Sequence, residues 1–124
     1  MYGGTAYNTY MENNIGIESP IKLIEMLYEG VLRFNAQAKK AIKDKNIEKK
    51  VYWLNRSVAI ITELVSALDM KQEGTIAKYL EGLYNYQIKL LSEALVENDT
   101  AKIDECTNVF KGLLEAWRET TDVA

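Results

Sequence analysis

The chain has 124 residues, 15 Lys plus Arg against 18 Asp plus Glu, a formal net charge of −3 and 48% hydrophobic residues. That suits one domain with one core, and offers no basic excess of the kind nucleic-acid binding requires. It contains no histidine, and Cys106 is its only cysteine, which removes the commonest general base and metal ligand, an intramolecular disulfide and a structural cysteine cluster.

No run approaches the roughly 18 apolar residues of a membrane span, and no basic-flanked apolar stretch marks a signal peptide, so no membrane insertion and a cytoplasmic location are expected. The first ten residues, "MYGGTAYNTY", hold three tyrosines and two glycines. With Gly3, Gly4, Asn13, Asn14 and Gly16 breaking regularity, residues 1–18 are expected to form a flexible N-terminal arm ahead of a helical domain over 19–122.

Ser19 followed by Pro20, the only proline, reads as an N-cap and a first-turn proline. From there "IKLIEMLYEGVLRFNAQAKKAIK" confines its polar residues to one stripe (Lys22, Glu25, Glu29, Arg33, Gln37, Lys40), so this helix is expected to bury most of its circumference. The second segment, Asn46 to Lys71, places Ile47, Val51, Leu54, Val58, Ile61, Val65 and Leu68 on a heptad seam. Beside that seam runs a second apolar set, Trp53, Ile60, Leu64 and Ala67, on a face that a single seam leaves exposed. Gly74 reads as the residue that ends this helix and Thr75 as the next N-cap.

The third segment carries Ile76, Leu80, Leu83, Leu90 and Ala94 on one seam, broadened by Tyr79, Tyr84, Tyr86, Ile88, Leu91 and Leu95. The polar turn "END" offers Asn98 or Asp99 as the cap of a fourth, narrower amphipathic helix through Ile103, Cys106, Val109, Phe110, Leu113, Leu114 and Trp117. Four such helices on short connections predict an all-α, antiparallel up-down-up-down four-helix bundle.

Catalytic and cofactor chemistry fares poorly. Without histidine, neither a di-iron carboxylate site nor histidine-ligated haem can be assembled in the bundle. No phosphate-binding glycine loop is present; Gly30, Gly82 and Gly112 stand singly within helices, where close helix approach is the ordinary reading. Glu25 and Glu29 lie on a solvated stripe, and Cys106 on a core face with nothing to make it a thiolate. The chain is not expected to be an enzyme or to carry a cofactor. What stands out is apolar surface: the first three helices exceed the about three positions in seven that a plain bundle needs.

Four motifs can now be read together: "SPIKLIEMLYEG" at Ser19–Gly30, "IITELVSALDM" at Ile60–Met70, "LYNYQ" at Leu83–Gln87 and "EAW" at Glu115–Trp117. Preceded by a tyrosine-bearing arm, the chain resembles the flagellar secretion chaperone FliS family along essentially its whole length. It departs from the family pattern in "KQEGT", with one glycine where a pair is often found, and at Gln87, where a more apolar residue is common.

The resemblance implies a cytoplasmic export chaperone. Its client would be the disordered C-terminal region of flagellin, which becomes helical in apolar grooves of the bundle, is kept from premature polymerisation and is delivered to the flagellar type III export apparatus. The resemblance also implies that the arm covers one groove in the free chaperone and helps dock the loaded complex to the export gate FlhA. On this reading the groove candidates are Ile60, Leu64 and Leu68, Leu83, Tyr84 and Ile88, with Tyr28 at the border. Tyr7, Tyr10, Met11, Ile15 and Ile17 are the candidates for the cap and for gate docking. A co-chaperone on part of the surface, and a homodimer formed without client, stay open. The rival reading is a small helical adaptor or regulator that binds a folded protein partner.

Overall fold

The computed structural model describes residues 19–71 and 74–121, and every regular element among them is a helix: α1 (Pro20–Lys43), α2 (Ile47–Ser66), α3 (Gly74–Glu97) and α4 (Thr100–Thr121). The expected arm, 1–18, lies outside the described residues.

The helix starts follow from capping chemistry. Ser19 is extended and its hydroxyl accepts from the amides of Ile21 at 3.1 Å and Lys22 at 3.4 Å. Asn46 Oδ1 accepts from the Lys49 amide at 3.0 Å, and Asp99 Oδ1 from the Ala101 amide at 3.0 Å. Each side chain satisfies a donor that the first turn leaves orphaned. Of the two cap candidates for α4, Asp99 therefore does the capping, while Asn98 takes the left-handed conformation (φ 55°) that ends α3.

α1 and α3 end alike. The Asn46 amide reaches back to Ala41 O at 2.8 Å and the Asp99 amide to Ala94 O at 3.3 Å, with left-handed Lys45 (φ 59°) and Asn98 in the position glycine usually fills. α2 stops at Ser66, short of the expected Lys71. In its last turns Thr62 and Ser66 bond back to the carbonyls of Val58 and Thr62, a habit that weakens a helix. Gly74 does not end α2; it opens α3 with φ +58°, a conformation a side chain would strain.

Neighbours run antiparallel. Lys50 near the start of α2 meets Leu95 near the end of α3, and Arg118 near the end of α4 meets Glu25 near the start of α1. α1 and α3 each pack on α2 and α4, whereas the diagonal pairs do not approach backbone to backbone. The middle is filled by Leu27, Val31, Leu54, Ile61, Leu91 and Phe110, among others.

Aromatic and polar groups cross this core. The hydroxyls of Tyr28 and Tyr84 share a 2.7 Å hydrogen bond along the α1–α3 diagonal, with Phe110 edge-on to Tyr28 at 5.7 Å and parallel to Tyr84 at 6.2 Å. Burial pushes the Tyr28 hydroxyl above its ordinary pKa, with the bond to Tyr84 pulling the other way. Asn35, fully buried, accepts from Ser57 at 2.8 Å and donates to Thr107 at 3.2 Å, tying α1 to α2 and α4.

α2 corrects the expected faces. Its buried residues are Lys50, Leu54, Ser57, Ile60, Ile61 and Leu64, so Ile60 and Leu64 of the set expected to be surplus supply core, with Trp53 partly buried and Ala67 exposed, while Ile47 and Val51 of the expected seam stand in solvent. A heptad pattern drifts about 20° per repeat around a straight 3.6-residue helix, so its ends leave the buried arc.

Candidate functional site

Exposed apolar surface is unevenly shared among the helices. Nine large hydrophobic residues are exposed among those described; eight of them, Ile47, Val51, Tyr52, Met70, Ile76, Tyr79, Tyr86 and Val96, belong to α2, α3 or their connection. The ninth is Ile21 on α1, and α4 contributes none. Isolated exposed leucines or valines need no explanation, but a one-sided concentration does.

The seams of α4 are closed by charge instead. Lys39 meets Asp104 at 2.5 Å, Arg118 meets Glu25 at 2.6 Å and also Glu29, and Lys102 bridges Glu93 at 2.7 Å and Glu97 at 3.1 Å. The Arg118 guanidinium holds the Glu25 carboxyl below the usual carboxylate range, and the Lys102 ammonium does the same for Glu93. Among the described residues no ion pair joins α2 to either neighbour.

On α3 the exposed residues form a pattern. Ile76, Tyr79, Leu83 and Tyr86 recur at steps of three, four and three, placing them on one outward face, with Ile76 and Tyr79 each 66% exposed, Tyr86 47% and Leu83 half-buried. Gly82 sits between the two tyrosines, and a Cβ there would meet nothing within 4 Å among the described residues. The same holds for Gly112, so neither glycine serves close packing of this bundle's own helices, contrary to the ordinary reading of helical glycines.

The groove candidates divide by depth. Tyr28, Ile60, Leu64 and Tyr84 are 2–4% exposed and belong to the core, whereas Leu68, Leu83 and Ile88 are half-buried. Tyr7, Tyr10, Met11, Ile15 and Ile17 lie outside the described residues. The exposure of Tyr79, Tyr86 and Ile76 was hidden because their spacing is as good for a core face as for a contact face. Another cluster escaped the sequence reading altogether: Arg56 lies over the rings of Phe34 at 4.9 Å and Tyr52 at 5.4 Å, with Trp53 tilted against Phe34 at 5.4 Å.

Among the described residues no group of three or more His, Cys, Asp or Glu is placed to hold a metal, and no helix is long and apolar enough to cross a membrane. Burial pushes the Cys106 thiol up to about 12, which leaves it a small hydrophobe.

Comparison with known proteins decides the family. A sequence model of the family described as "Flagellar protein FliS" matches residues 3–124. The chain belongs to the FliS family. Among FliS relatives, the flagellar secretion chaperone FliS of Campylobacter jejuni is 56% identical over 119 residues, covering 96% of this chain and 93% of that one. FliSB of Pseudomonas aeruginosa is 32% identical over 121 residues, 94% of this chain and 96% of its own, and FliS of Salmonella typhimurium is 30% identical over 129 residues, 100% and 96% respectively. These FliS relatives are described as flagellar secretion chaperones.

Proposed function

We propose that this FliS-family chain is a cytoplasmic flagellar export chaperone that binds the disordered C-terminal region of flagellin, holds it from premature polymerisation and delivers it to the export apparatus. The observation that carries the reading is the outward face of α3, Ile76, Tyr79, Leu83 and Tyr86, with Met70 exposed and Leu68 half-buried in the preceding connection. A helix that lays an apolar stripe into this surface removes large side chains of both partners from water, each contributing about 1.5–3 kcal/mol before the ordering of the client is subtracted. Gly82, with open space above its Cα, lets a client backbone approach between the tyrosines.

The core positions Tyr28, Ile60, Leu64 and Tyr84 are buried and reach the client only if the helices part. The arm residues Tyr7, Tyr10, Met11, Ile15 and Ile17 would compete with the client for part of the same surface and contribute to docking at FlhA. Far-ultraviolet circular dichroism tests the reading: mixing the chain with a flagellin C-terminal peptide should give more helix than the sum of the two. A spectrum equal to that sum, with no binding by calorimetry, would rule it out.

A further inference from the structure

At the end of the bundle opposite Met70, a cleft of about 320 Å³ opens between the α1–α2 turn and the α3–α4 turn. Its walls are apolar, Ala41, Ile42 and Ile47, and its charged lining is cationic, Lys45 and Lys50. Lys50 is only 9% exposed. Its ammonium donates to Leu95 O at 3.0 Å and to Asn98 Oδ1 at 2.7 Å, both neutral acceptors at the end of α3.

Those two bonds occupy two of the three donors of an ammonium and leave its charge without a carboxylate among the described residues. The carboxylates nearest in sequence to the lining are committed elsewhere: Asp44 to Lys40, Glu97 to Lys102, and Asp99 to the first turn of α4. Glu48, in the first turn of α2, does not line the cleft. A buried cation is costly unless paired. The negative end of the α3 dipole offsets part of that cost, and an incoming anion would offset more.

We propose that this cleft binds the free C-terminal carboxylate of a protein chain whose last side chains are apolar. The carboxylate meets the Lys50 ammonium beside Lys45, and the terminal side chain rests against Ala41, Ile42 and the lip formed by Ile47, which is 71% exposed. A chain end suits the cleft better than an internal acidic residue, because it presents a carboxylate without a following segment that must also be accommodated. The inference stands apart from the client surface of α3 and does not depend on it.

The test is an amide-resolved NMR titration of the full chain with three probes: N-acetyl-Ala-Leu-Leu with a free carboxylate, the same peptide ending in a carboxamide, and N-acetyl-Ala-Asp-Leu carboxamide. The free acid should shift the amides of Ile42, Lys45 and Asn98 saturably; the Ala-Leu-Leu carboxamide should bind at least about ten-fold more weakly through loss of one charge-assisted contact, and the aspartate peptide more weakly than the free acid because of the residue that follows its carboxylate. Lys50→Met should erase the difference between the peptides. Because Lys50 also supports the end of α3, Ile47→Glu at the exposed lip supplies a second variant with no bearing on the core, and it should weaken the free acid by a similar factor. Equal binding of acid and carboxamide, equal binding of the internal aspartate, absence of binding by the free acid, or shifts located away from the cleft would each overturn the proposal.

Discussion

Asn35 and Gln87 show opposite outcomes of burying an amide. Asn35 finds Ser57 and Thr107, so Asn35→Ala strands both hydroxyls and should lower stability by about 1–3 kcal/mol in urea unfolding. Gln87 is 1% exposed and its Oε1 has no partner among the described residues. Gln87→Leu should therefore raise the unfolding free energy by about 1 kcal/mol, seen as a higher urea midpoint with an unchanged slope. Nothing in the local sequence distinguished a bonded glutamine from an orphaned one. Cys106 was legible from its place on the apolar stripe; fully buried, it should resist a thiol reagent in the native protein and react at once in denaturant.

At the scale of elements, three helix starts were legible because N-caps are local, Ser19, Asn46 and Asp99 each acting within three residues of themselves, whereas Thr75, expected to cap α3, lies inside a helix that already opens at Gly74. Ends were less legible, since they depend on backbone geometry and on side chains from other helices. Lys45 and Asn98 hold left-handed positions that a sequence reading reserves for glycine, and Lys50 completes the end of α3 from across the bundle. Lys45→Gly should relieve the left-handed strain and raise stability by about 1 kcal/mol, measured as the change in urea midpoint. The four helices and their order followed from periodicity, but the assignment of faces on α2 did not. Whether Ile60 or Val51 points inward depends on which two neighbours flank the helix, and periodicity carries no information about that.

Across the whole molecule, charge closes the seams of α4 while apolar side chains face solvent on α2 and α3. The charged side has a pH consequence. Glu25 is held by Arg118 below the ordinary carboxyl pKa of 4.5, so the contact stabilises the fold above that value and the contribution is lost as pH falls through the lower folded value. Thermal unfolding followed downward from neutral pH should therefore show a loss on the acid side that Arg118→Gln makes shallower, and added salt should mute the difference at neutral pH. On the proposed reading the apolar side receives the client. Tyr79 and Tyr86 are exposed and clear of the core, so replacing both with glutamate should leave the thermal transition intact. The most direct measurement is calorimetric titration of this folded Tyr79→Glu, Tyr86→Glu variant with the flagellin C-terminal segment. Loss of at least about ten-fold in affinity is the result expected if the outward face of α3 receives the client, and an affinity equal to that of the unaltered chain would contradict it.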